Sequence, residues 1–276
     1  MSKLFKFIFI VYCLFTINAV GSALDTSPSV ALSLFSQYAN AANNQQYSCP
    51  NPIFDSGIRK KLTPAFDWYL VKAKQGDSQA QYYVGLAYLY NLGPNDSNSI
   101  NKAIFWFNKA ASQNNALAMR QLGYIDYSGN GAANLGKMWR KALEWYSKAA
   151  KLGDVPSLIL MANIYYQGAT GYIPQDINKA NSLIKQAAAK NSDIGQAGLA
   201  GLYFDGQGEP KDYAKALSLY QQALQGSTLP SGTRVFVYER LADMYNLGLG
   251  TAKDLVKAKA FLTQAEALKK QEQCLP

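Results

Sequence analysis

The sequence predicts an all-α protein built from repeated helix pairs. Three observations predict this fold class. Pairs of alanines recur at intervals of 36 to 42 residues. Large apolar and aromatic residues recur upstream of them at helical spacing, and glycines and capping residues punctuate each interval at matching offsets. Self-similarity at a period of this length is the signature of a repeat protein.

The alanine pairs define the second helix of each unit. The first alanines are Ala103, Ala142, Ala180, Ala216 and Ala258, and the second ones follow seven residues later at Ala110, Ala149, Ala187, Ala223 and Ala265. Residues seven apart lie on one face of a helix, where two alanines allow close approach of a neighbouring helix. An earlier segment, Ala65 to Ala73, predicts a half unit ahead of the first pair.

A second stripe defines the first helix of each unit. A large apolar anchor is followed four residues later by an aromatic residue: Val84/Tyr88, Leu122/Asp126, Met161/Tyr165, Leu199/Tyr203 and Leu241/Tyr245, with Asp126 the one departure. Compact residues stand four before four of the anchors, at Ala80, Ala118, Ser157 and Gly195. Spacings of three, four and seven place these side chains on one helical stripe, so we assign the anchors to packing.

Turn and cap residues separate the predicted helices. Glycines expected in the turn after the first helix are Gly93, Gly129, Gly131, Gly168, Gly171, Gly206, Gly208, Gly248 and Gly250. Residues expected to cap the second helix are Ser99, Asp176, Asp212 and Asp254, and those expected to end it are Gly76, Asn114, Gly153 and Asn191. Ser and Asp suit N-caps, and Gly and Asn tolerate the positive φ of a helix end.

These units resemble a known repeat family. The segment Leu199-Ala-Gly-Leu-Tyr-Phe-Asp-Gly-Gln-Gly208 and the segment Ala142-Leu-Glu-Trp-Tyr-Ser-Lys-Ala-Ala150 look like Sel1-like repeats, which are relatives of the tetratricopeptide repeat. The resemblance covers residues 60–268. It implies a right-handed α-solenoid of helix-turn-helix repeats, with about five full repeats, the N-terminal half repeat and a capping helix. We therefore expect a repeat domain over residues 60–276, in which the last repeat ends near residue 268.

The N-terminal segment predicts export. Residues 1–23 combine a basic start with the apolar run 7–17 and small residues, which is typical of a signal peptide cleaved near Gly21 or Ala23. We therefore expect a periplasmic or secreted protein. Residues 24–59 predict a capping helix and a linker. Cys49 and Cys274 can form a bridge, remain free thiols or make an intermolecular link, and the sequence leaves these alternatives open.

Composition argues against several kinds of site. The chain has no histidine, which excludes Ser-His and Cys-His nucleophiles and His-ligated metals. We therefore expect no catalytic residues, no cofactor and no metal site. Lys and Arg number 27 against 18 Asp and Glu, which suits an anionic envelope component, whereas nucleic acid is a poor partner for an exported protein. The run Lys137–Lys141 predicts a solvated helix edge, with an anion site as the less favoured alternative.

The family resemblance implies which residues line a concave groove. In tetratricopeptide-like stacks the first helix of each pair faces the groove, and offsets from the anchors give the candidate residues: Tyr82, Leu86, Leu89, Arg120, Tyr124, Tyr127, Asn163, Tyr166, Phe204, Asp205, Glu239 and Asp243. These residues predict an aromatic groove that becomes acidic toward the C-terminal units. Rigid rings with one arginine are typical of sites that bind protein or peptide ligands. The alternative is that some rings pack under the following repeat.

Three functions follow as hypotheses. We expect a protein–protein interaction scaffold or adaptor that acts through the groove, in envelope function or in contact with a host. The alternative from another class is a cell-wall enzyme or peptidoglycan-binding module. A third possibility is a structural subunit that forms homo-oligomers, since the sequence does not determine the oligomeric state.

Overall fold

The computed structural model describes residues 56–90, 98–128, 135–168, 172–226 and 229–273. These ranges contain eleven α-helices and no β-strand. The helices are α1 (Ser56–Lys74), α2 (Ser78–Leu89), α3 (Ser99–Ala111), α4 (Ala116–Ser128), α5 (Leu135–Lys151), α6 (Val155–Gln167), α7 (Ile177–Ala189), α8 (Asp193–Asp205), α9 (Tyr213–Gln225), α10 (Ser231–Leu247) and α11 (Leu255–Gln273). The all-α prediction is confirmed.

The helices form five consecutive pairs. Units 1 to 5 are α2–α3, α4–α5, α6–α7, α8–α9 and α10–α11. Helix α1 precedes them and corresponds to the second helix of a unit. Within the described ranges, each helix packs mainly against the helices before and after it in the chain. This arrangement is the quasi-one-dimensional stacking of a solenoid.

The alanine pairs lie where the sequence predicts. Both alanines of the second helix are buried in every unit, and eight of these ten residues have no exposed surface: Ala103, Ala110, Ala142, Ala149, Ala180, Ala187, Ala216 and Ala223. The anchors Val84, Leu122 and Leu241 are also buried. The two stripes together therefore build the core between helices.

A third core position was not recognised from the sequence. The residue four after the first alanine is large and almost fully buried in α1 and in units 1 to 4, at Tyr69, Phe107, Tyr146, Ile184 and Tyr220. The Tyr220 ring meets the Phe236 ring of the next unit edge-on, with centroids 6.3 Å apart. In unit 5 the same position holds Leu262, which is 46% exposed. This position therefore depends on the next unit for its burial.

Helix caps follow the predicted pattern with one exception. The carboxylates of Asp176, Asp212 and Asp254 each accept a hydrogen bond at 2.9 Å from the backbone N–H three residues later. The prediction for Ser99 is wrong, because Ser99 is already the first residue of α3 and Asn98 precedes it without a side-chain cap. The first helices have caps of their own, which the sequence analysis missed: Asp77, Asn115, Asp154 and Ser192.

The predicted helix ends are confirmed by their backbone conformation. Asn114 and Asn191 are the positive-φ residues other than glycine in the described part of the chain, with φ of 62° and 54°. Gly76 and Gly153 occupy the equivalent positions with φ of 100° and 93°. A left-handed residue lets the chain reverse after the second helix and begin the next unit within a few residues.

Several predictions fall outside the described residues. These are the signal peptide, the N-terminal capping helix, Cys49, Cys274 and the turn glycines Gly93, Gly129, Gly131 and Gly171. Helix α1 begins at Ser56, ahead of the expected boundary at residue 60, and α11 continues to Gln273, past residue 268. In the described ranges, the helices are too short or too polar to cross a bilayer.

Candidate functional site

The groove residues expected on α2 belong mostly to the core. Tyr82 and Leu86 are buried, and only Leu89 keeps partial exposure. The Tyr82 ring lies 6.1 Å from the Phe107 ring, measured between centroids. Burial raises the pKa of Tyr82, although the nearby Arg120 guanidinium opposes this change. The burial of Tyr82 and Leu86 therefore does not support the expectation that they face a partner.

Arg120 holds two units together. Its Nη1 lies 3.2 Å from Oδ1 of Asp154, whose side chain is only 5% exposed. The other carboxylate oxygen of Asp154 accepts hydrogen bonds from the backbone N–H and the hydroxyl of Ser157 at the start of α6. Arg120 on α4 therefore reaches the cap of the first helix of unit 3. Its side chain remains 19% exposed, so most of it serves packing between units.

Tyr127 and Tyr166 also connect successive units. The Tyr127 hydroxyl donates to Oε1 of Gln167 at 3.4 Å, and the Tyr166 hydroxyl donates to Oε1 of Gln207 at 3.3 Å. Burial raises the pKa of Tyr127. Both rings nevertheless keep partial exposure. Each side chain thus contacts the following repeat through its hydroxyl and retains some exposed surface.

Trp139 supports Tyr127 from the same unit. The two rings stack with centroids 5.1 Å apart and planes 26° from parallel. The Trp139 indole N–H donates to the Tyr127 carbonyl at 3.2 Å. The run 137–141 was predicted to be a solvated helix edge, and this is wrong for Trp139, which is partly buried.

Phe204 occupies the same register as Tyr127 and Tyr166 in unit 4. It contacts the Tyr213 ring edge-on at 5.5 Å, and the guanidinium carbon of Arg240 lies 5.0 Å from its centroid. Arg240 comes from α10 of unit 5, so Phe204 is also partly covered by the next unit. It remains partly exposed.

The polar candidates differ from one another in exposure. Asn163 is buried, and its Oδ1 accepts no hydrogen bond from the described residues. Asp205 is half-buried, whereas Glu239 accepts a hydrogen bond from Lys269 at 2.5 Å. Asp243 has the most exposed side chain of the four, at 57%, and lies 3.9 Å from Arg240. The acidic end of the groove is therefore partly neutralised by basic neighbours.

A lysine over a tyrosine recurs inside the units, and the sequence analysis did not recognise it. The lysine directly before the first alanine of the second helix lies over the aromatic residue of the first helix. The pairs are Lys102–Tyr88, Lys179–Tyr165, Lys215–Tyr203 and Lys257–Tyr245, with Nζ 4.2 to 5.5 Å from the ring centroid. A cation over a ring face is electrostatically attracted to it. In the sequence, a lysine at a fixed offset from the first alanine could have indicated this contact.

Unit 2 replaces the ring of this pair with a carboxylate. Asp126 stands in the aromatic position, and Lys141 stands in the lysine position. Burial raises the pKa of Asp126, while the charge of Lys141 and a hydrogen bond donated by Trp145 oppose this rise. The departure seen in the sequence therefore replaces a cation–ring contact with an interaction between two opposite charges.

The arrangement offers surface for binding. Within the ranges that the structure describes, no three His, Cys, Asp or Glu side chains lie close enough together to hold a metal ion. Tyr127, Tyr166 and Phe204 lie at one register of three successive first helices, and each keeps exposed ring surface. Such a row can bury apolar area against another chain.

Comparison with known proteins identifies the repeats. The family model described as Sel1 repeat matches residues 78–115, 116–154, 155–192, 194–227 and 237–269, which together exceed half of the chain. The chain belongs to the Sel1 repeat family. The five matches follow the five helix pairs, so the predicted family and the expected number of full repeats are confirmed.

Relatives and solved structures agree with this family. The chain is 31% identical over 160 residues to the chitin synthase regulator SKT5 of Saccharomyces cerevisiae, a match that covers 56% of this chain and 23% of SKT5. It is 30% identical over 128 residues to the Sel1-repeat-containing protein YjcO of Escherichia coli K12, covering 46% of this chain and 54% of YjcO. The matches thus span about half or less of these relatives.

A solved structure covers nearly the whole chain. The crystal structure of a Sel1 repeat protein from Oxalobacter formigenes superposes with a TM-score of 0.65 at 27% identity, covering 88% of both chains. This likeness supports the TPR-like solenoid fold. Sel1 repeat proteins are generally scaffolds for protein–protein interaction.

Proposed function

We propose that this protein is a periplasmic or secreted scaffold or adaptor that binds a protein or peptide segment along its first helices. The observation that carries the proposal is the row formed by Tyr127, Tyr166 and Phe204, which we call the ring row. Its members occupy one register in units 2, 3 and 4 and remain partly exposed. Aromatic anchors at regular intervals suit an extended or helical ligand segment.

Contacts between units also help to hold the ring row in place. Two of its hydroxyls donate to glutamines of the following units, and Phe204 lies beside Arg240. Rings that are fixed before binding lose little side-chain freedom when a ligand arrives, which favours affinity. The same contacts that stabilise the solenoid therefore prepare its surface for a partner.

The test must separate loss of a ring from loss of an inter-unit hydrogen bond. A triple variant with Tyr124, Tyr127 and Tyr166 changed to leucine removes two rings of the ring row and the ring of Tyr124, a further groove candidate. The matched variant with the same tyrosines changed to phenylalanine keeps these three rings. Both variants lose the two hydroxyl contacts. Leucine is compatible with both registers involved, because in unit 1 Leu89 occupies the register of Tyr127 and Tyr166, and Leu86 occupies that of Tyr124.

The measurement is cross-linked capture from the native envelope fraction, with far-ultraviolet circular dichroism to verify helix content. We expect a specific partner that the parent and the phenylalanine variant capture equally and that the leucine variant loses. Equal capture by the leucine variant would remove these tyrosines from the binding surface. Cell fractionation and N-terminal sequencing test the export arm, with the mature chain expected to begin after Gly21 or Ala23.

The excess of basic residues favours one alternative, a cell-wall enzyme or binding module. Loss of residues 1–23 would leave 25 Lys and Arg against 18 Asp and Glu. Incubation of the mature protein with purified peptidoglycan distinguishes the cases. Soluble fragments would indicate an enzyme, retention on the sediment would indicate a binding module, and neither result is expected for the scaffold.

A further inference from the structure

The second helices fall into two classes at a single register. The residue directly before the second alanine is lysine in α1, α3 and α5, and glutamine in α7, α9 and α11. These residues are Lys72, Lys109 and Lys148, then Gln186, Gln222 and Gln264. Both residue types are good helix formers and are exposed here where the structure describes them. The fold therefore accepts either residue at this register, and the difference between lysine and glutamine affects the surface of the protein.

Exposed rings accompany two of the three lysines. Four residues before Lys72 and Lys109 stand Trp68 and Phe105, which are 41% and 50% exposed. The equivalent residues of the other second helices are Glu144, Ser182, Ser218 and Ala260. Because small or polar residues fill this register elsewhere, packing of the repeat does not require a ring there.

The lysines lie against the rings. Nζ of Lys72 is 5.9 Å from the Trp68 centroid, and Nζ of Lys109 is 4.8 Å from that of Phe105. On α5, Nζ of Lys148 lies 4.7 Å from the centroid of the partly buried Trp145. Each helix thus presents an ammonium group and an aromatic ring within one turn.

The surrounding charge has the same sign. Residues 56–154 contain 13 Lys and Arg against 6 Asp and Glu, whereas residues 155–276 contain 12 against 10. Of the described acidic side chains on α1, α3 and α5, Asp67 and Glu144 are both exposed beside this register. The count of six acidic residues already includes these two carboxylates, so the basic excess of this half remains and the surface complements a negatively charged partner.

We propose that Trp68, Lys72, Phe105, Lys109 and Lys148 form a docking surface for an anionic phospholipid bilayer. We call these residues the basic ring face. Exposed tryptophan and phenylalanine rings enter the head-group region, while lysine chains extend their ammonium groups to the lipid phosphates. Each lysine near an anionic membrane contributes an attraction that salt weakens. This inference is independent of the ring row and its partner.

The experiment compares two triple variants with the same change in charge. The first changes Lys72, Lys109 and Lys148 to glutamine, the residue native to that register in units 3 to 5. The control changes Lys179, Lys215 and Lys257 to glutamine, which also removes three lysines that lie over rings. Sedimentation with vesicles of phosphatidylcholine and phosphatidylglycerol measures partitioning of the full chain, and pure phosphatidylcholine vesicles test the need for charge.

We expect the parent to partition onto the anionic vesicles and to be released by salt. At about fivefold for each lysine, the first triple variant should lose roughly a hundredfold in partition coefficient. The control variant should lose much less. Equal losses in the two variants would attribute binding to net charge and overturn the assigned face, and so would a parent chain that stays in solution with anionic vesicles.

A second pair of variants tests the rings. Phe105→Ser and Trp68→Ser introduce the residue native to this register in units 3 and 4. Together they should lower partitioning at least tenfold, because less apolar area enters the interface. Circular dichroism should show unchanged helix content. Unchanged partitioning of the folded double variant would contradict insertion of the rings and overturn the proposal.

Discussion

Changing Asp154 separates two contributions to the stability of the boundary between units 2 and 3. Its carboxylate caps α6 through Ser157 and pairs with Arg120 at 3.2 Å. Asp154→Ala removes both interactions. Asp154→Asn keeps a capping residue, as Asn115 demonstrates at the start of α4, and removes only the negative charge.

The magnitudes follow from the environment of each group. Loss of an N-cap costs about 1 kcal/mol. Loss of one partner of a buried ion pair costs about 3 kcal/mol or more, but the Arg120 side chain is 19% exposed and water compensates part of that loss, which leaves about 2 kcal/mol. We therefore expect about 3 kcal/mol for Asp154→Ala and about 2 kcal/mol for Asp154→Asn.

Urea unfolding followed by circular dichroism measures these free energies, provided that the slope with denaturant is unchanged. A double-mutant cycle with Arg120→Gln should give a coupling energy of about 1 kcal/mol. Hydrogen exchange at the Ser157 amide should be accelerated more by Asp154→Ala than by Asp154→Asn. Equal destabilisation by the two substitutions, or a coupling energy near zero, would refute the separation of cap and ion pair.

Three further predictions concern single sites. Gly195→Ala should lower the free energy of unfolding by about 2 kcal/mol, because its Cβ would lie 2.5 Å from the backbone nitrogen of Ala188; thermal melting checks this, and an unchanged melt would contradict it. Tyr220→Phe should leave the urea midpoint unchanged or slightly higher, since the buried hydroxyl has no hydrogen-bond partner among the described residues; a clear loss would reveal one. Burial raises the pKa of Asp126, so the ionised form of this side chain disfavours folding. Asp126→Asn should therefore raise the urea midpoint at neutral pH, and this gain should disappear as acid protonates Asp126 in the parent. A gain that persists in acid would show that burial of the charge is not its cause.

The repeat architecture was predictable because it depends on contacts that recur at a fixed spacing. Ala103 and Ala110 lie seven apart, and the equivalent alanine pair is buried in every unit, so five copies give one signal. Asn114 and Asn191 were predictable as helix ends because few residues other than glycine tolerate positive φ. These features require no knowledge of how one unit lies on the next.

The roles of the groove residues were less predictable because they depend on the next unit. Tyr127 meets Gln167, and Arg120 meets Asp154, across a distance along the chain that no helical spacing relates. An aromatic residue on the first helix can point to a ligand or to the following turn, and the sequence pattern is the same in both cases. The family resemblance therefore indicated a candidate surface, but it did not distinguish candidate binding groups from groups that join units.

The neighbour-only packing of the helices has a consequence for how the chain acquires its structure. Since each helix packs mainly against those beside it in the chain, few contacts require distant segments that are synthesised later. Chains rich in such local contacts fold quickly, and they can do so from the N-terminus while the remainder is still being made. If the helix pairs fold in the order in which they are synthesised, each new pair needs only the next pair to complete its packing.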